Sequence, residues 1–134
     1  MTETTIQVRY RDMDAGGVVH HSVYPVWYEV ARMDVLTSVD FPWTRQHEYD
    51  IDPVLVNLNL DYLSLVRYPD TVTIRSKIVL AEPKKLKIAY ECFVGETLVN
   101  RAESFHIWCQ HLKSHPLDDI LPDVYANLRA AVEA

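Results

Sequence analysis

The sequence predicts a two-layer α+β domain, one long helix lying on an antiparallel sheet. Three observations carry that prediction. Apolar residues recur at helical spacing between positions 22 and 38. Period-two alternation dominates the chain from Val54 onward. The turns between the alternating runs are short, which forces neighbouring strands to run antiparallel. One apolar helix stripe and one apolar sheet face must bury each other, and that gives two layers. The 134 residues suit one domain spanning 1–134.

Each element has its own warrant. Residues 5–11 alternate, with Ile6, Val8 and Tyr10 on one side and Gln7, Arg9 and Arg11 on the other. The run ends in Asp12-Met13-Asp14-Ala15-Gly16-Gly17, a turn-forming cluster. A helix is predicted from Ser22 to Ser38, with Ser22 as N-cap and Pro25 tolerated in the first turn. Its stripe is Val23, Val26, Trp27, Val30 and Ala31. Phe41-Pro42-Trp43 then breaks it. Four strands follow, at 54–66, 72–80, 86–94 and 97–112, the last with its bulk in Phe105, Ile107 and Trp108. Tyr68-Pro69-Asp70, Glu82-Pro83-Lys84-Lys85 and the turn at Gly95 join them. Pro116 and Pro122 bracket an irregular tail, and Val124–Val132 form a short last helix. Long strands leave sheet edges that need charge, a cover or a partner chain, so at least a dimer is expected.

Composition narrows the function. The net charge is −6, with no broad basic field to hold a phosphate backbone, which argues against nucleic acid as the main partner. No run of about 18 apolar residues exists, so no membrane-spanning helix is expected. Cys92 and Cys109 form neither a disulfide framework nor a CxxC site and suit a reducing compartment. The first residues, MTETTIQVRYRD, lack the apolar core of a signal peptide, and the expectation is a cytoplasmic protein.

The most informative stretch is Arg9–His21. It places two carboxylates, a Gly-Gly pair and two histidines between a strand and a helix start. In a chain with three glycines, an adjacent pair marks a special backbone need, either positive φ or a close approach. Backbone N–H groups at a helix N-terminus stabilise developing negative charge, and a nearby carboxylate can act as base or nucleophile. Together these parts suit attack on a carbonyl carbon. The competing reading of an Asp in such a loop is an Asx-turn or a cap.

The pattern Asp-x-Asp-x-x-Gly-x-Val-x-His-x-x-Tyr-x-x-x-x-Glu-x-x-Arg runs here through Asp12, Asp14, Gly17, Val19, His21, Tyr24, Glu29 and Arg32. It resembles the hotdog-fold acyl-CoA thioesterases of the 4-hydroxybenzoyl-CoA thioesterase type, in particular the branch that includes the Tol-Pal-associated thioesterases. The resemblance covers nearly the whole chain. It implies a long central helix wrapped by a five-stranded antiparallel sheet, in a homodimer or homotetramer with active sites at subunit interfaces. It implies acyl-CoA as substrate and no metal or redox cofactor. The catalytic carboxylate falls on Asp14, as nucleophile through a mixed anhydride or as general base on water. The N–H that polarises the thioester carbonyl maps to His21, whose side chain is also implicated, as is Tyr10. Gly17, Tyr24 and Tyr28 are the substrate-binding candidates. His20 departs from the pattern, which often has an aromatic there.

Other residues have plainer readings. Asp12 caps the turn or pairs with a neighbouring Arg. Tyr10 is either a core aromatic or a site residue. Glu29 and Arg32 form a helix-surface or interface pair. Trp27, Tyr28 and Met33 line an acyl pocket or simply the core. His106, His111 and His115 lack metal-ligand spacing and read as structural or solvent-exposed. Lys84, Lys85 and Lys87, with Arg67, are candidate contacts to CoA phosphates.

Three rival readings fail on the residues. A haloacid-dehalogenase-type Asp-x-Asp needs a parallel sheet of βα units, and none is visible. A calcium loop counted from Asp12 reaches Val23 at its twelfth position, where a bidentate Glu is required. A hotdog dehydratase would carry its His in a Pro-Gly-rich segment absent here. A hotdog protein that binds acyl-CoA without turning it over is the alternative of another class.

Overall fold

The computed structural model describes residues 1–133. The strands are β1 (Thr2–Gln7), β2 (Ile51–Tyr62), β3 (Thr71–Ala81), β4 (Lys85–Val94), β5 (Thr97–Gln110) and β6 (Lys113–Ser114). The helices are α1 (Val23–Ser38), α2 (Trp43–Tyr49), α3 (Leu117–Ile120) and α4 (Pro122–Ala131). The sheet is antiparallel in the order β1-β3-β4-β5-β2, and β6 extends it by pairing with β5. It packs on α1, as the two-layer prediction requires. The expected five strands thus become six, because the chain folds back for two residues beyond β5.

The helix stripe is rotated from the predicted one. Tyr24, Trp27, Tyr28, Ala31, Val35 and Leu36 are buried, whereas Val26 and Val30 are exposed. The tyrosines bring more apolar area than the valines, and the wrapped side of α1 takes them. Asp40, at φ 64°, ends the helix, and the Phe41 N–H returns to the Leu36 carbonyl at 2.9 Å. Beyond the Phe-Pro-Trp break the chain forms α2, which the sequence reading missed; Pro42 stands at its N-cap position.

The sheet departs from the reading in three places. β1 is shifted from the predicted 5–11: it starts at Thr2 and ends at Gln7, because the chain leaves the sheet at Val8 and Tyr10–Asp12 form a 3₁₀ turn. β2 starts and ends earlier than 54–66. It accommodates Pro53 because an edge strand has one row of backbone groups without ladder partners. Val54, Leu55 and Val56 are exposed, so β2 is not the buried strand its alternation suggests. On β5 the inner face carries Asn100, Ala102, Ser104, His106 and Trp108, while Phe105 and Ile107 are only partly buried. The tail forms two helices rather than one, and Leu117, Leu121, Val124 and Leu128 close one end of the core.

The register sets the two ends of the molecule. Gln7 pairs with Thr71 at the start of β3, so the loop after β1 lies at that end. The β3–β4 turn at Lys84 and Lys85 lies at the other end of the 11-residue β3, about 33 Å away at 3.3 Å per residue. Within one chain those lysines therefore do not reach the loop. Lys87 pairs instead with Glu103 at 3.2 Å. Arg67, next to Val66, does lie at the loop end.

Candidate active site

The loop of residues 12–21 is a closed structure. Met13 and Val19 form an antiparallel bridge. Inside it the Asp14 N–H donates to the Val18 carbonyl at 2.9 Å, and the Gly17 N–H donates to the Asp14 carbonyl at 3.0 Å. Both glycines are accounted for. Gly17 adopts φ 75°, which a side chain disfavours. Gly16 is a close approach: its N–H donates to Asp14 Oδ1 at 2.8 Å, and a β-carbon there would stand 3.1 Å from that oxygen. Asp14 thus makes the Asx-type bond that the plain reading foresaw, yet its side chain stays exposed.

Three neighbouring segments hold the loop. The Val19 N–H donates to the Val66 carbonyl at 2.8 Å, and the His20 N–H donates to the Asp12 carbonyl at 2.9 Å. Asp12 is buried and bound by Arg9, through the backbone N–H at 2.8 Å and the guanidinium at 2.9 Å. It does the structural work expected of it. From β2, the Tyr62 hydroxyl donates to the His21 carbonyl at 3.0 Å. Tyr62 was not among the predicted site residues. Its signal was faint: one tyrosine at the end of an alternating strand.

The start of α1 is capped differently from the prediction. Ser22 has helical φ and ψ and makes no side-chain cap. His20 takes that place, its carbonyl accepting the Val23 N–H at 3.0 Å and its Nδ1 accepting the Ser22 N–H at 3.1 Å. The His20 and His21 rings lie 4.0 Å apart, tilted by 33°. The His21 N–H has no hydrogen-bond partner among the described residues. An unpaired N–H at a helix start is the element that binds developing negative charge.

The remaining candidates separate. Tyr10 is 74% exposed and packs edge-on against Tyr68 at 5.8 Å, so it is not a core aromatic. Tyr24 is buried beneath Tyr62, ring centroids 5.4 Å apart, and burial followed by the neighbouring Cys92 pushes its hydroxyl up to about 12. Tyr28 is in the core, where its hydroxyl donates to Asn100 Oδ1 and its ring meets Tyr90 at 4.7 Å. Burial pushes its hydroxyl far above the ordinary range.

Arg32 is not a surface residue. Its side chain is 13% exposed, Glu29 stands 4.0 Å away, and its charge acts on the buried Tyr90 hydroxyl. A buried polar chain continues from there. Tyr90 meets Ser104 at 2.7 Å, Ser104 meets His106 Nε2 at 2.8 Å, and His106 Nδ1 donates to the Pro53 carbonyl at 3.1 Å. Burial, then the Arg32 charge, lowers the His106 imidazole to about 4. His111 and His115 are paired with Asp50 and Asp119.

The long helix packed on an antiparallel sheet is shared with known proteins. The family model described as the thioesterase superfamily matches residues 16–99, and this chain belongs to that superfamily, with the hotdog fold. The acyl-CoA thioester hydrolase YbgC of Escherichia coli O6:H1 is 30% identical over 112 residues, 83% of this chain and 84% of the relative. Hypothetical protein TT1821 from Thermus thermophilus superposes with a TM-score of 0.92 at 27% identity, covering 98% of this chain and 99% of that one. DHNA-CoA thioesterase from Staphylococcus aureus superposes with a TM-score of 0.90 at 26% identity, covering 96% and 91%. No helix among the described residues is long and apolar enough to cross a membrane.

Proposed function

We propose that this protein hydrolyses acyl-CoA thioesters to free acid and CoA. The observation that carries the reading is the pairing of an exposed Asp14 carboxylate with an unpaired His21 N–H on one loop. The names of the Escherichia coli and Staphylococcus aureus relatives support the same chemistry, and the Asp12–Arg32 motif supports the 4-hydroxybenzoyl-CoA thioesterase type and its Tol-Pal-associated branch. Asp14 acts in one of two ways. As nucleophile it attacks the thioester carbonyl, forms a mixed anhydride and expels the CoA thiolate, which takes a proton from solvent; water then cleaves the anhydride. As general base it takes a proton from water while the water oxygen attacks; the tetrahedral intermediate then collapses, the C–S bond breaks and the departing CoA thiolate takes up the proton. In both, oxygen charge develops on the carbonyl and the His21 N–H receives it. Tyr10 joins Asp14 and His21 as a catalytic candidate, Gly17 borders the site with Tyr24 and Tyr28 buried beneath it as substrate-binding candidates, and Arg67, at this end, is a candidate contact for a CoA phosphate.

The reading includes a homodimer or homotetramer. Among the described residues β2 pairs only with β5, and its Val54, Leu55 and Val56 are exposed, as are Val26 and Val30 of α1. Charged residues on an edge oppose strand pairing. V54K/V56K is expected to run as a monomer in light scattering where the wild type does not.

The test of the activity is thiol release from short, long and aromatic acyl-CoAs, with wild type and Asp14→Asn side by side. Asn is nearly isosteric and still accepts the Gly16 N–H, but it supplies no carboxylate. Release by wild type and none by the variant is expected. Equal release by both overturns the role of Asp14. Binding without release by folded wild type replaces the hydrolase with a non-catalytic acyl-CoA-binding protein.

A further inference from the structure

We propose that Tyr62 and His20 are positioning residues that fix the His21 N–H in place for the thioester oxygen. The inference rests on the hydrolase reading and adds two side chains to it. The His20 ring is the side-chain cap of α1, whereas the Tyr62 hydroxyl is not needed for the packing of its own ring. Tyr62 is the last residue of β2, opposite Asn100 of β5, and its ring alone already packs on Tyr24 at 5.4 Å. Its hydroxyl nonetheless reaches out of the sheet to the His21 carbonyl at 3.0 Å. That bond restricts the rotation of the peptide that leaves His21.

His20 restrains the same residue from the other direction. Its N–H is held by the Asp12 carbonyl at 2.9 Å, and its carbonyl holds the Val23 N–H at 3.0 Å. Its Nδ1 accepts the Ser22 N–H at 3.1 Å and faces the Ser22 hydroxyl at 2.7 Å. A ring nitrogen that accepts an N–H carries no proton, so neutral His20 has its proton on Nε2. The groups on both sides of His21 are thus tied, and the His21 N–H is left without a partner among the described residues. A donor that needs no reorganisation when charge develops is worth far more than one that must first be ordered. A displacement of about 1 Å in such a group can cost on the order of a hundredfold in rate. Positioning of this kind changes turnover rather than ground-state affinity, because the charge it meets exists only in the transition state.

The test compares wild type, Asp14→Asn, Tyr62→Phe, His20→Ala and His20→Asn on the acyl-CoA that wild type cleaves fastest. Phe keeps the packing on Tyr24 and removes only the hydroxyl. Asn places an oxygen near the position of Nδ1. Tyr62→Phe and His20→Ala are expected to lower kcat by about tenfold or more with KM unchanged, and His20→Asn to recover most of the His20→Ala loss. A ¹⁵N–¹H correlation spectrum reads the positioning without turnover: the His21 and Ser22 amide signals are expected to shift or broaden in Tyr62→Phe. If wild type cleaves no thioester, the hydrolase reading fails. If Asp14→Asn is inactive while Tyr62→Phe keeps wild-type kcat, the positioning role is overturned and the hydrolase stands. Unchanged His21 and Ser22 signals overturn it too, as does a raised KM at unchanged kcat, which would make Tyr62 a substrate contact.

Discussion

The backbone of Gly16 grips the side chain of Asp14: the N–H donates to Oδ1 at 2.8 Å, and no room is left there for a methyl group without moving the carboxylate. Gly16→Ala would put a β-carbon 3.1 Å from that oxygen, closer than ordinary contact. The carboxylate must give by a few tenths of an ångström. The expected outcome is a several-fold loss of thioester turnover with little change in melting temperature. A large fall in stability with unchanged turnover in the folded fraction would count against this account.

Gly17 is constrained for a different reason. Its φ is 75°, and an added β-carbon there would meet nothing within 4 Å. The cost of Gly17→Ala is therefore backbone strain alone, roughly 1 kcal/mol. Gly17→Asn should cost less, since Asn visits the left-handed region more readily. Denaturant titration of the three proteins checks the order Gly, Asn, Ala.

Tyr28 and Asn100 form the central polar contact of the core, both fully buried. Asn100 Nδ2 has no hydrogen-bond partner even with the tyrosine present. Tyr28→Phe leaves Oδ1 unpaired as well, at a cost of about 1–3 kcal/mol in denaturant unfolding. Removing both polar partners costs much less than leaving one orphaned. Tyr28→Phe/Asn100→Leu is therefore expected to recover part of the loss, and a strictly additive double variant would contradict the coupling.

His106 makes stability depend on pH. Its imidazole titrates near 4 in the folded chain against 6.5 unfolded, through burial and then the Arg32 charge. The unfolded chain binds the proton first as pH falls, so stability present above pH 6.5 is lost down to about pH 4. At about 1.4 kcal/mol per pKa unit, the loss is on the order of 3 kcal/mol. His106→Asn removes the titrating group and keeps a donor for the Pro53 carbonyl. Urea midpoints across this range should fall steeply for wild type and much less for the variant.

The legible parts of this molecule were those written into local spacing. The limits of α1, β3 and β4 follow from periodicity and turn residues, and the structure moves them by a residue or so. The Gly-Gly pair announced a backbone need that Gly16 and Gly17 meet in two distinct ways. The unread parts were those whose meaning depends on what lies opposite. Ser22 has the chemistry of an N-cap, yet His20 two residues earlier holds the Ser22 N–H. Alternation in β2 gave no sign that it would be an edge strand with exposed valines.

By itself, then, the sequence determined the two-layer α+β form, the helix, and the loop that carries Asp14 and His21, because each depends on residues close together in the chain. Tertiary structure alone decided that Tyr62 reaches the His21 carbonyl across 41 positions and that Lys84 and Lys85 lie at the far end of the sheet. It also decided that the Arg32 charge lies near a buried chain of Tyr90, Ser104 and His106. Strand order and register set these relationships, and neither is encoded in the spacing of any one segment.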